Sequence, residues 1–218
     1  MDMLTPEIIN GFRKVAIASV ADAIEKVTGR RGYLHHSVKN RINARRMVGP
    51  AVTTLHAPTT EFLPPLAALD LIEESAQGSV IVIGVHGDND LAFWGGIMTA
   101  GAFAKGHAGA LLAGGVRDIQ EIQRDYDLPV FAPHVSPGTS LGRTATIAKD
   151  IPVMVGGIVV HPGDLVVGDV DGVCIVRPAD ADAVLKSAQE IDAREAEQAR
   201  LIVEAKSLKE GLAKYGRI

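Results

Sequence analysis

Two short stretches of the sequence hold residues that could do chemistry together. The first is Gly114-Gly115-Val116-Arg117-Asp118. Paired glycines let the backbone turn sharply after a strand and let a ligand come close. The Arg117 guanidinium is a planar fork that matches a carboxylate. The Asp118 carboxylate offers hard oxygen ligands of the kind Mg2+ or Mn2+ takes. A metal and an arginine together could hold a 2-oxo acid by its carboxylate and keto oxygen. The same Arg-Asp pair would also serve as an ordinary surface turn that caps a helix. The second stretch is Trp94-Gly95-Gly96-Ile97-Met98. A helix starting here would present free backbone N–H groups, a ready carboxylate site. Its glycines would equally let a helix approach a sheet, with Trp94 as a core anchor. Twenty residues separate Gly96 from Arg117-Asp118, and Glu121 follows after two more.

Positioning these residues requires a particular scaffold. Ser79-Val80-Ile81-Val82-Ile83-Gly84 and Gly109-Ala110-Leu111-Leu112-Ala113 are short continuous apolar runs, as expected of strands buried on both faces. The small-residue stretch from Leu91 to Lys105 reads as a helix between them, giving a βαβ unit. Ligands in such units collect at the carboxyl ends of the strands. Two loops lie there, 85–90 and 114–118, so both could border one pocket. Val52–Leu55, Val130–Ala132, Val153–Val155 and Ile158–Val160 are further strand candidates. Thr5-Pro6-Glu7 starts a first helix. Ser19 with Asp22 resembles a capping box for a second, ending at Gly29. A third is expected over Leu66–Ile72. From Asp180 to about Gly211 the chain reads as one long amphipathic helix, long enough to reach a neighbouring subunit. The economical organisation is one α/β domain over 1–218, with 180–215 a C-terminal helical arm.

Bulk properties exclude several classes. The 218 residues are 47% apolar and 22% charged, with a net charge of −4, an ordinary globular balance. An acidic chain argues against a main role in gripping nucleic acid. A single cysteine, Cys174, rules out a disulfide within the chain and reads as a buried core thiol. The N-terminus lacks a basic region followed by an apolar one, and no run approaches the ~18–20 apolar residues that span a bilayer. These features predict a cytoplasmic protein without membrane partners.

With these residues in place, the sequence resembles the class II pyruvate aldolase family typified by 4-hydroxy-4-methyl-2-oxoglutarate aldolase, which also includes the regulator of ribonuclease E activity. The motif is carried by Gly96, Arg117, Asp118 and Glu121. Gly49-Pro50-Ala51-Val52-Thr53, Pro129-Val130-Phe131-Ala132 and the run from Pro162 to Val173 extend the likeness over nearly the whole chain. The resemblance implies a swivelling β/β/α fold and assembly into trimers or hexamers. It implies Asp118 as the protein ligand of a divalent metal, Mg2+ or Mn2+, with Arg117 binding the pyruvyl group. It implies that Gly95, Gly96 and the amides of Ile97 and Met98 hold the substrate carboxylate, with Glu121 in the catalytic set. An acidic residue from a neighbour's C-terminal helix, Glu197 or else Glu195, would reach the metal's water shell. The implied reaction is retro-aldol cleavage of a 4-hydroxy-2-oxo acid, or decarboxylation of oxaloacetate, through a pyruvate enolate. One departure stands out. Several aldolases of the family carry an acid where this chain has Gly96; Asp88 or Asp90 could replace it. The family also permits a non-catalytic role, binding and inhibiting a ribonuclease.

Other residues carry weaker signals. His35, His36 and His86 fit no familiar zinc spacing. His134, after a strand, could line the pocket or serve structure. Lys39, Arg41, Arg45 and Arg46 could attract an anion or form a solvated strand face. Asp169 and Asp171 are expected to shape a turn, and residues 136–139 to form a loop.

Overall fold

The computed structural model describes residues 4–87 and 90–213. In chain order its elements are α1 (Pro6–Phe12), α2 (Ile17–Thr28), β1 (Lys39–Asn40), β2 (Met47–Pro58), α3 (Leu66–Glu74), β3 (Val80–Val85), β4 (Ala92–Trp94), α4 (Gly96–Ala104), β5 (Gly109–Leu112), β6 (Gly115–Val116), α5 (Ile119–Asp125), β7 (Val130–Ala132), β8 (Thr144–Lys149), β9 (Val153–Val155), β10 (Ile158–Val160), β11 (Leu165–Gly168), β12 (Val173–Val176), α6 (Ala181–Ala205) and α7 (Leu208–Leu212).

Parallel pairing joins β2 to β3, β3 to β5 and β5 to β7, the order expected when helices cross over between strands. The side chains of Val80 to Ile83 and Ala110 to Leu112 are all fully buried, as the continuous apolar runs predicted. β2 is the shared strand of the molecule. Its first four residues pair antiparallel with β11, and Ala51 to His56 pair with β3. The stretch from Thr54 to Pro58 also pairs with β8, through an irregularity between Leu55 and His56. Three apolar clusters result. One lies between α1, α2, α6 and the β11–β12 face, around Phe12, Val20, Leu165 and Val184. A second joins β2, β3, β5 and the β9–β10 hairpin. The third sits between α3, α4, α5 and the parallel strands, and contains Trp94, Val116 and Ile122.

Several local expectations need correction. The segment from Leu91 to Lys105 is not one helix. Ala92–Trp94 is a buried strand that pairs in parallel with β6, and the helix begins only at Gly96. Tertiary pairing overrides the helical reading, and Gly95, in extended backbone, separates the two elements. No capping box forms at Ser19. α2 starts earlier, after Ala16, and Ser19 is buried within it. The Asp192 carboxylate of α6 accepts the Ala16 N–H instead, at 3.0 Å. The C-terminal helix is interrupted at Lys206, whose φ of 49° is left-handed. α7 then folds back, with Gly211 pressed on Ile202. The basic cluster is largely spent on structure. Arg41 donates to the Ser37, Ala132 and Pro133 carbonyls. Arg46 donates to Val15 O and faces Asp169, while Arg45 pairs with Asp127. Asp169 accepts the Asp171 N–H, which makes the expected turn. Cys174 is buried, and desolvation lifts its thiol to about 12, leaving it inert.

His56 in β2 gives a pH-dependent stability. It is 1% exposed, packs edge-on to Phe93, and has Nδ1 3.3 Å from the Thr144 hydroxyl. Burial pushes its pKa down from 6.5 to about 4. Between these values the unfolded chain takes up a proton that the folded chain refuses. Stability contributed by the neutral ring is therefore complete above pH 6.5 and is lost as pH falls toward 4. The loss is on the order of 3 kcal/mol. Urea midpoints at pH 7 and pH 4.5 should show it, and a His56→Gln variant should show a shallower pH slope than wild type.

Candidate active site

The site is built where β4 and β6 end side by side. Gly115 N–H donates to Leu91 O at 2.9 Å, and Arg117 N–H donates to Trp94 O at 3.0 Å. This pairing puts the residue after β6 beside the residues after β4, so Arg117 and Asp118 meet Gly95 and Gly96. The anchor beneath is Trp94, 2% exposed, whose indole N–H donates to the Thr99 hydroxyl at 2.7 Å. That hydroxyl donates in turn to Gly95 O at 2.9 Å. Thr99→Val would leave the indole N–H buried without a partner. It should cost about 1–3 kcal/mol in urea unfolding.

Asp118 has φ 60° and ψ 35°, a left-handed backbone uncommon outside glycine, asparagine and aspartate. It stands at the N-cap of α5, yet its carboxylate does not cap that helix. Oδ2 instead accepts the Gly96 N–H at 3.0 Å, at the start of α4, and lies 3.5 Å from Arg117 Nε. Both side chains are about two-fifths exposed, at 41% for Arg117 and 36% for Asp118. They are neither sealed in the interior nor splayed into open solvent. Helix geometry leaves the amides of Ile97 and Met98 without an intrahelical acceptor. They extend the same positive helix end.

Two glycines make room for this. A Cβ on Gly95 would lie 2.6 Å from Asp118 Oδ2 and 3.1 Å from Arg117 Cγ. A Cβ on Gly96 would lie 2.6 Å from Glu121 Oε1. Glu121 sits in the first turn of α5, so its carboxylate occupies the space that a side chain at position 96 would take. Two carboxylates thus converge on the start of α4. An open cavity of about 280 Å3 lies beside Arg117 and Asp118 and is lined further by Ile119, Val135, Ser136 and Pro137. This last wall was not anticipated from sequence. It forms because the chain after β7 runs alongside β6, with Val116 N–H donating to His134 O and Ser136 N–H to Val116 O. The one available signal was a loop following a buried strand of the same sheet.

A family profile described as RraA-like, Aldolase/RraA, matches residues 17–175. The chain belongs to the Aldolase/RraA family. A provisionally named 4-hydroxy-4-methyl-2-oxoglutarate aldolase of Halalkalibacterium halodurans is 30% identical over 196 residues, spanning 90% of this chain and 89% of that protein. A solved structure of an uncharacterized protein from Pseudomonas syringae superposes with a TM-score of 0.86 at 27% identity, covering 97% of this chain and 95% of the other. Streptomyces coelicolor RraAS2, described as an unusual member of the RNase ES inhibitor RraA protein family, gives 0.80 at 27% identity, covering 88% and 96%. The RraA-like fold expected from the sequence is therefore shown.

Within this RraA-like chain, Gly95, Gly96, Ile97, Met98, Arg117, Asp118 and Glu121 come together. Glu197 lies elsewhere, on α6, where Arg200 holds its carboxylate at 2.8 and 2.9 Å; Glu195 is exposed on the same helix. Neither belongs to the cavity lining. Asp90 is exposed, and Asp88 lies outside the described residues. His35 and His36 are exposed with ring centroids 4.0 Å apart, and His86 is exposed. His134 Nε2 is buried against Gly115 without a hydrogen bond. Among the described residues no three His, Cys, Asp or Glu side chains form a closed metal cage. Asp118 with Glu121 nearby instead fits a hard cation of the Mg2+ type, which takes one or two carboxylates and keeps several waters. No described helix is long and apolar enough to cross a membrane.

Proposed function

We propose that the protein is a divalent-metal-dependent carbon–carbon lyase that cleaves a 4-hydroxy-2-oxo acid to pyruvate and a carbonyl product. The observation that carries this reading is the convergence of Asp118, Arg117 and Glu121 on the open N-terminal end of α4, beside a cavity. Asp118, with Glu121 close by, would hold Mg2+ or Mn2+. When bound, the cation supplies Lewis-acid polarisation of the keto group.

The chain's own residues do the rest. The Ile97 and Met98 amides receive the substrate carboxylate. Arg117 sets a fixed positive charge beside the keto oxygen, where negative charge develops as the C3–C4 bond breaks. Glu121, acting through a water, takes the proton of the C4 hydroxyl as that carbon becomes a carbonyl. The electron pair of the broken bond passes to C3 and C2, and protonation at C3 completes pyruvate. Where C4 is itself a carboxylate, the same bond breaks with loss of CO2, so oxaloacetate decarboxylation would use the same amides and Arg117, with no hydroxyl proton for Glu121 to take. A neighbouring subunit's Glu197 would join the site in a trimer or hexamer.

The test is pyruvate itself. Deuterium exchange at its methyl group in D2O reports enolate formation without regard to any tail. Exchange that requires Mg2+ or Mn2+ and stops with EDTA supports the reading. Pyruvate release from 4-hydroxy-4-methyl-2-oxoglutarate or oxaloacetate is the companion assay. No metal-dependent exchange and no release would sink it. The likeness to the Streptomyces protein favours a second reading, ribonuclease binding. A pull-down with a ribonuclease of the E type separates the two.

A further inference from the structure

We infer that Arg41 is a positioning residue of this site: its guanidinium clamps the loop that forms the cavity wall, and so sets how the substrate, and not the metal, is held. This role deepens the lyase reading and rests on it.

Arg41 lies far from the motif in sequence, directly after β1. Its own N–H donates to Val130 O at 2.9 Å, continuing the antiparallel pairing of β1 with β7. The base of its side chain is therefore fixed to the strand that leads into the wall. The next residue is fixed as well. Ile42 N–H donates to Asn40 Oδ1 at 3.0 Å, and Ile42 O accepts from Gln123 Nε2 of α5 at 2.6 Å. Glu121 stands on that same helix. From this anchored base the guanidinium reaches three main-chain carbonyls. Nε donates to Ala132 O at 2.8 Å, and Nη2 donates to Ser37 O at 2.7 Å and to Pro133 O. All three acceptors belong to the same chain, so the clamp needs no neighbouring subunit.

In an extended strand successive carbonyls face opposite edges. Here one guanidinium grips two in succession, so the chain turns out of the sheet at Pro133. Beyond that turn the loop is gripped from the other side. His134 O accepts the Val116 N–H at 3.2 Å, and Ser136 N–H donates to Val116 O at 3.0 Å. Val116 directly precedes Arg117. The wall of Val135, Ser136 and Pro137 is thus held between Arg41 and the strand that delivers Arg117. Asp118 is placed by other means, its left-handed backbone and its bond to the Gly96 N–H. Removing the clamp therefore releases the wall and leaves the metal ligand where it is. Lysine, with a single ammonium, does not reproduce the planar fork that spans these carbonyls.

Deuterium exchange into pyruvate with Mg2+, followed over a range of pyruvate concentrations on the full-length protein, tests this. Arg41→Lys should raise the KM for pyruvate about tenfold with kcat little changed, the mark of lost substrate binding. Its Mg2+ affinity by calorimetry should match wild type. Arg41→Ala should show the larger rise in KM, and millimolar guanidinium ion should reverse much of it where sodium ion does not. Arg45→Gln is the control, since Arg45 sits on the same segment but pairs with Asp127 at the surface; it should leave both constants unchanged. An arginine with a merely structural role would lower the thermal midpoint and leave KM alone, and that pattern in Arg41→Lys overturns the inference. So does a Mg2+ affinity that falls along with substrate affinity. In both cases the lyase reading stands, because wild type still exchanges. Wild type that exchanges no deuterium overturns the lyase reading and this role with it.

Discussion

Asp118→Asn is expected to lower metal-dependent pyruvate exchange by about 1000-fold, the scale on which removal of a key charge-stabilising group acts. Asparagine is the informative replacement for a structural reason. The backbone at 118 is left-handed, at φ 60°, and asparagine tolerates that region nearly as well as aspartate. Its amide oxygen can still accept the Gly96 N–H that Asp118 accepts at 3.0 Å. The variant keeps shape and hydrogen bonding and removes only the charge. Alanine would add a backbone penalty of about 1–3 kcal/mol and confuse the two effects. The checks are exchange rate, Mg2+ affinity by calorimetry and thermal midpoint. An unchanged midpoint with lost exchange and weakened Mg2+ binding is the expected pattern. Full exchange would remove Asp118 from the chemistry.

Gly95→Ala is expected to lower kcat/KM by about 100-fold without unfolding the protein. The backbone does not resist it. Gly95 has φ −161° and ψ −168°, extended values open to any residue. The obstacle is space, because the new methyl would lie 2.6 Å from Asp118 Oδ2 and 3.2 Å from Arg117 Nε. Both are ends of partly exposed side chains, which can swing away at small cost in stability. They swing away from the geometry the reaction needs, and displacement near 1 Å is enough for a loss of this size. Steady-state kinetics set against circular dichroism would decide. Native spectra with reduced kcat/KM are expected, and unaltered kinetics would show that Arg117 and Asp118 need not sit where they do.

These variants also show what a reader of the bare sequence could have known. Arg117 and Asp118 are chain neighbours after a buried strand, so their joint placement follows from connectivity. The approach of Gly96 follows from βαβ logic, which survives although part of the expected helix is strand. The strand at Ala92–Trp94 is not legible in the sequence, because three residues carry too little periodicity to announce one. Its strand character comes from β6, over twenty residues away. Gly96 looked like a missing acid. In three dimensions the Glu121 carboxylate fills that place, a substitution of space that linear spacing does not reveal. Val135, Ser136 and Pro137 were invisible as a wall because only the path of the loop after β7 brings them there. The arginines near β1 looked like a lure for anions, but carbonyls at loop ends claim Arg41 and Arg46. Such bonds depend on tertiary neighbours and leave no local mark.

The double role of β2 has a consequence for how the chain is made. Its Met47–Pro50 segment waits for Leu165–Gly168, and Thr54–Pro58 waits for Thr144–Lys149. During synthesis β2 and β3 can pair early, but one flank of β2 stays open until three-quarters of the polypeptide has left the ribosome. An open strand flank is a template for pairing with other chains. Nascent chains that stall before residue 165 should therefore be the ones that aggregate, and a helper that shields this flank would act within that interval.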